Sequence, residues 1–283
     1  MRASRSNGSV FIGRSSDVTV RGGRLRAVYS LLADPPWPTL IIVTLCGWGA
    51  MLLFGRELAL SSLCVAATGA WYDQGLRSLR AMLAFVSPLH VALSWLLMLT
   101  AMMTPILAGP LHHVWVRSLA RRRWRALAVF TAAYLAVWMV MAPVLVLGVA
   151  ALRMFADAIF LPVSVLAVVI ALVWQATPTK QYCLNHCHWL PRIGVFGWSA
   201  DADCARFGFV NGLWCVGTCW ALMLVPITAT EMHVHLALMA GVAVIMVAER
   251  LQPARPVRWY FPFSRASGRL VWRVLGWGRQ AGR

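Results

Sequence analysis

The stretch FVSPLHVALSWLLMLTAMMTPILA, residues 85–108, contains no Asp, Glu, Lys or Arg. A membrane-spanning helix needs about 20 mostly apolar residues, because in hydrocarbon every backbone N–H and C=O must find its partner within the segment. The stretch therefore predicts a spanning helix over about residues 84–107, interrupted by Pro88 and Pro105. Similar runs predict spans over about 38–54, 126–150, 155–176, 207–228 and 233–249. The predicted fold class is thus all-α: a polytopic transmembrane helical bundle of about six spans. Residues 58–71, LALSSLCVAATGAW, are apolar but too short to cross. They are expected to lie in the interface or re-enter.

Composition agrees with that reading. The chain has 283 residues, 60% hydrophobic and 12% charged, with 15 Trp and a mean hydropathy of +0.69. Soluble domains carry about 25% charged residues. The apolar runs follow one another closely, so residues 37–250 read as one six-helix domain. Residues 1–36 read as a basic, disordered cytoplasmic tail without the apolar core of a cleaved signal peptide. Residues 251–283 mix Arg with Trp, Phe and Leu and read as a cytoplasmic or interfacial tail.

The net charge of +17 does not indicate nucleic acid. The arginines flank apolar segments, and no nucleic-acid recognition module is visible. They fit a bilayer partner with anionic headgroups. With six spans, 22 of the 26 basic residues fall in the N-tail, the C-tail and the loops after the second and fourth spans. Arg56, Arg77, Arg80 and Arg153 fall on the other side. Positive charge gathers in the cytoplasm, so both termini are expected there.

Four clusters carry possible chemistry. QYCLNHCHWLPR, residues 181–192, holds Cys183, His186, Cys187 and His188 at the cytoplasmic end of the fourth span. Cys183 and Cys187 are one helical turn apart, with His186 able to join them. GLWCVGTCWALM, residues 212–223, places Cys215, Cys219 and Met223 along one stripe, while Gly208, Gly212 and Gly217 allow close helix approach. WLLMLTAMMTP, residues 95–105, places Met98 and Met102 one turn apart beside Met103. TATEMHVH, residues 228–235, sets Glu231, Met232, His233 and His235 in the outer turn. Thiolate and thioether sulfur suit soft metals. The predicted metal ligands are Cys183, His186, Cys187, Cys215, Cys219, Met98, Met102 and Met223. Cu(I) is expected because of the thioethers, with zinc second. If the loop after residue 187 folds back on the fifth span, the two C-x-x-x-C pairs share one site.

These residues also carry a resemblance. The chain resembles the bacterial predicted metal-binding integral membrane proteins, a family whose domain has no assigned function, over roughly residues 85–252. The likeness rests on W-x-x-M-x-x-A-M-M-x-P (Trp95–Pro105), A-Y-L-x-x-W (Ala133–Trp138) and Q-x-T-P-x-K-x-x-C-L-x-x-C (Gln175–Cys187). It continues in G-x-x-C-x-G-x-C-W-x-L-M (Gly212–Met223) and the Glu249–Arg250 pair. It implies metal binding and a multi-pass protein of the bacterial cytoplasmic membrane. The chain departs from the pattern at His188 and in the outer turn.

The expected function is to bind a soft metal ion for transport, delivery or metallation of a partner. That partner would be a metallochaperone or a membrane complex. No nucleotide-binding, H-E-x-x-H or serine-nucleophile motif is present, which points away from an enzyme. Two alternatives stand. A membrane thiol-disulfide oxidoreductase would use the cysteine pairs, although helical i, i+4 cysteines fit disulfide geometry poorly. A non-metal structural subunit of a membrane complex would use the sulfurs as packing.

Overall fold

A computed structural model describes residues 37–54, 88–194, 196–229 and 231–259. The N-terminal tail, the 58–71 segment and most of the C-terminal tail lie outside the described residues. The described chain is helical, in the order α1 (Trp37–Phe54), α2 (Pro88–Met103), α3 (Ala108–Arg117), a 3-10 turn (Ala120–Arg122), α4 (Arg123–Ala158), α5 (Val163–Ala176), α6 (Pro178–His186), α7 (Gly197–Ile227) and α8 (Met232–Arg250). Helices α4, α7 and α8 are long and apolar enough to cross a membrane. The bent pairs α2–α3 and α5–α6 would raise the number to five if each is one span, whereas α1 is apolar but short.

Side-chain sorting is that of a bundle with an apolar exterior. On α4, Val140, Val144 and Leu147 are exposed, while Phe130, Tyr134, Trp138, Leu145 and Val149 are buried. On α5 the small Ala167 and Ala171 face inward and Val165, Val169, Leu172 and Val173 face outward. Putting small residues at helix contacts and large apolar ones outside is expected where the surroundings are as apolar as the core.

Helix α7 is the centre. Two thirds of its apolar window (67%) is buried, against 22% for α4 and for α8. It packs on α4, α5, α6 and α8. Its contact with α4 depends on glycine. A Cβ on Gly208 would lie 2.2 Å from the Phe130 carbonyl oxygen, and one on Gly212 would lie 3.1 Å from the Val137 side chain and 3.3 Å from the Tyr134 carbonyl. Gly208 and Gly212 are four apart, so the cleared faces lie one above the other. A second bond locks α2 to α4: Trp95 Nε1 donates to the Trp138 carbonyl at 3.0 Å.

The two bends have local causes. Proline at 105 supplies no N–H, and Thr100 and Thr104 donate back to the carbonyls of Leu96 and Thr100. Such back-bonding bends helices, and α2 meets α3 at 83°. Pro178 forbids helical geometry at Thr177, which is extended (φ −70°, ψ 146°). The Thr177 hydroxyl then accepts from the Lys180 N–H at 3.3 Å, capping a new helix at 68° to α5.

The structure differs from the six predicted spans in several places: three described helices, or five with the bent pairs, are long and apolar enough to cross, the second predicted span breaks after Met103, and α7 starts at Gly197 rather than near 207. The expected third and fourth spans meet near residue 155, but α4 continues to Ala158. The chain reverses at Phe160 (φ 54°) and Pro162 starts α5. Residues 151–158, ALRMFADA, are mostly good helix formers and have no stop signal before that turn.

Ion pairs show which helix ends lie together. Asp201 at the start of α7 binds Arg122 and Arg125 at the start of α4, each at 2.7 Å. Lys180 of α6 binds Glu249 at the end of α8 at 2.5 Å. The ring of His113 on α3 lies 2.9 Å from the Pro191 carbonyl. Helices α4 and α7 therefore run parallel, and one end of the bundle collects Arg117, Arg121, Arg122, Arg123, Arg125, Lys180, Arg192, Arg206 and Arg250. Among the described residues, Arg153 is the basic side chain toward the other end.

Two stability measurements follow. Gly208→Ala should cost the detergent-solubilised protein about 1–3 kcal/mol through overpacking. Gly148→Ala, where an added Cβ meets nothing within 4 Å, should leave the thermal midpoint where it is. Lys180 is 5% exposed, so Lys180→Met strands Glu249 and should cost about 3–5 kcal/mol. Replacing both partners by Met should cost clearly less than Lys180→Met alone.

Candidate metal centre

Cys215 and Cys219 lie on the buried face of α7, with their sulfurs 4.0 Å apart. Helical spacing puts them there, since residues four apart share a face. Each sulfur has a hydroxyl neighbour of different character. The Tyr134 hydroxyl, fully buried on α4, donates to Cys215 Sγ at 3.1 Å. Thr218 spends its single hydroxyl proton on the Cys215 carbonyl at 2.8 Å. Its oxygen therefore offers Cys219 a lone pair at 3.2 Å.

The pair fits a soft metal. With metal–sulfur bonds of about 2.3 Å, two thiolates on one ion sit about 3.8 Å apart in tetrahedral geometry and about 4.6 Å apart in linear geometry. The observed 4.0 Å lies between these limits. Among the described residues no set of three His, Cys, Asp or Glu side chains is gathered around one point. The centre is a two-sulfur platform rather than a closed cage. The described cysteines, Cys46, Cys183, Cys187, Cys204, Cys215 and Cys219, are free.

The 183–188 cluster divides over α7. Cys187, which ends α6, is buried where α6 packs on α7. Cys183 is turned to Gly217: a Cβ there would lie 2.7 Å from its sulfur. Gly217 is two residues from Cys215, on the far side of the helix, so Cys183 does not face the Cys215–Cys219 pair. His186 stacks on Tyr182 and Trp214, with ring centroids 4.2 and 4.6 Å away. Its Nδ1 lies 2.9 Å from the Tyr182 carbonyl. A carbonyl only accepts, so Nδ1 is the donor in this contact. His188, outside the helices, is held below the usual imidazole range by partial burial and then by the Arg250 charge.

Met98, Met102 and Met223 are fully buried in the same apolar cluster as Cys215 and Cys219. Sequence reasoning did not single out Met239 and Met246, which α8 adds to that cluster. Nor did it assign roles to Tyr134, Thr218 and Arg250, although Tyr134 and Arg250 lie in the stretches that carry the resemblance. The outer turn has an architectural element: the His235 ring donates from Nδ1 to the Pro226 carbonyl at 2.7 Å, capping the end of α7.

Arg250 ends α8 at the cationic end. Its Nη1 lies 3.5 Å from the Cys187 carbonyl. The candidate centre therefore comprises two sulfurs and a phenol among apolar side chains, with Arg250 at the Cys187 carbonyl where α6 ends.

No match was found among the curated proteins or the solved structures. A family model, PpoB2, described as copper chaperone, matches residues 92–267. The match takes in α3 to α8, both C-x-x-x-C pairs and Met98, Met102 and Met103 of α2. It covers well over half of the chain, which therefore belongs to the PpoB2 copper chaperone family.

Proposed function

We propose that this protein is a membrane-embedded chaperone that holds Cu(I) between Cys215 and Cys219 and passes it to a partner protein. The observation that carries this reading is the 4.0 Å sulfur pair on the buried face of α7, with the Cys187 thiol alongside. Copper is the cargo rather than a resident cofactor. Cu(I) is preferred to zinc because zinc is usually held by four ligands in structural sites. Two thiolates in the same buried cluster as the thioethers of Met98, Met102 and Met223 have a soft, low-coordinate environment. Cys187 serves as the exchange thiol. Cys183, with His186 at the mouth, continues the route toward the cationic end.

The chain is proposed to cross the bacterial cytoplasmic membrane six times through α1, α2, α4, α5, α7 and α8. Both termini and the cationic end would face the cytoplasm, where positive flanks are retained. Anionic headgroups would meet the same arginines.

Metal analysis tests the chemistry. Protein purified without oxygen, with copper and zinc both available, should retain near-stoichiometric copper. The Cys215→Ser/Cys219→Ser variant should retain almost none. Cys187→Ser should load but exchange copper more slowly with a soluble thiol chelator. Zinc in place of copper, or copper kept by the double variant, would sink the reading. Topology is checked separately: a reporter that fluoresces only in the cytoplasm should be active at the C-terminus and silent when inserted after Phe160.

A further inference from the structure

We infer that Arg250 sets the charge of the cation that the site accepts, selecting a monovalent soft ion over a divalent one. The inference rests on the proposed Cys215–Cys219 site and adds a specificity determinant to it.

Three observations support it. First, Arg250 Nη1 lies 3.5 Å from the Cys187 carbonyl, where α6 packs on α7, the helix of Cys215 and Cys219. Second, the carboxylates nearest the cationic end are already taken. Asp201 holds Arg122 and Arg125, and Glu249 holds Lys180. Among the described residues Arg250 has no carboxylate partner. A partly buried cation without an anion is costly, and metal-bound thiolates are the anions within its reach. Third, the neighbouring Lys180–Glu249 pair is neutral as a unit and leaves the local balance unchanged.

The charge count then decides selectivity. A metal binds cysteine as thiolate, so two thiolates and Arg250 together carry one negative charge. A monovalent ion brings the site to zero. A divalent ion leaves one uncompensated positive charge among apolar side chains. Without Arg250 the balance reverses: the divalent complex is neutral and the monovalent one is not. Even at the effective dielectric of about 20 that suits protein sites, one unit charge at several ångström changes relative affinity by on the order of a hundredfold.

The test uses Ag(I), a redox-inert stand-in for Cu(I), against Cd(II), which is also soft but divalent. The full-length protein in detergent is offered both ions, and bound metal is measured by mass spectrometry. The wild type should retain Ag(I), and Arg250→Lys, which keeps the charge, should match it. Arg250→Gln should shift the Ag(I):Cd(II) ratio toward Cd(II) by on the order of a hundredfold. Arg250→Met, apolar and of similar length, should do the same and serves if the Gln variant does not fold. An unchanged ratio in a folded, silver-binding Gln or Met variant overturns the inference and leaves the copper site standing. A wild type that prefers Cd(II) also overturns it. A wild type that binds neither ion removes the proposed function and the inference with it.

Discussion

On the proposed membrane reading, the close approach of α7 to α4 has to happen without help from water. In hydrocarbon no hydrophobic force draws two apolar helices together, so contact area and hydrogen bonds must do it. Glycine at 208 and 212 clears a strip on α7, and the Phe130 and Tyr134 backbone fills it. Both helices start at the cationic end, where Asp201 ties them. That tie and the glycine strip fix one parallel register. In that register the Tyr134 hydroxyl falls on Cys215, one turn beyond Gly212. A slip of one turn would take the phenol away from the sulfur and leave a buried hydroxyl without its partner, which is costly. The packing that holds the bundle together also positions the donor at the proposed metal centre.

A second constraint acts on the other side of α7. Helix α5 is only 14 residues long, and Thr177–Pro178 turns the chain before it has run the length of α7. Trp174 anchors the turn by donating from Nε1 to the Gly217 carbonyl at 3.0 Å. The missing side chain at Gly217 then admits Cys183. Helix α6 crosses α7 at this level, and its last turn delivers Cys187 toward Cys215. The Lys180–Glu249 pair fixes α6 to the end of α8. The same ordering of α8 places Arg250 over the sulfurs. A proline, a glycine and one ion pair thus bring together groups that are distant along the chain.

Much of this was legible in the sequence, for identifiable reasons. Hydropathy marked the long apolar helices because that signal is local and strong. The cysteine spacing of four marked a shared helix face, and Cys215 and Cys219 do share one. The division of the 183–188 cluster was not legible, because it depends on where α6 crosses α7. Spacing alone cannot separate Cys183, against Gly217, from Cys187, beside Cys215. The Thr177–Pro178 start of α6 was readable from its capping residue and N1 proline, but the apolar run before it masked the break. Arg250 looked like one more flanking arginine. Its proposed role rests on having no carboxylate partner among the described residues, and that shows only when the partners of its neighbours are known.

On the proposed reading, the incompleteness of the centre suits delivery. Structural zinc sites are closed, with four ligands and no open position. A closed site retains its ion, because a partner's ligand has nowhere to bind. Here both resident sulfurs come from one turn of one rigid helix and cover one side of the ion. Cys187 ends α6, a short helix that packs on α7 and is held by its cap and by Lys180. An incoming thiol can thus join before a resident one leaves, and the ion need never be bare in an apolar interior. Thioethers around it offer neutral contacts that add no charge. The single cation beside it offsets the surplus negative charge of two thiolates on a monovalent ion. Affinity can then come from two bonds and one counter-charge, while the empty side keeps transfer open.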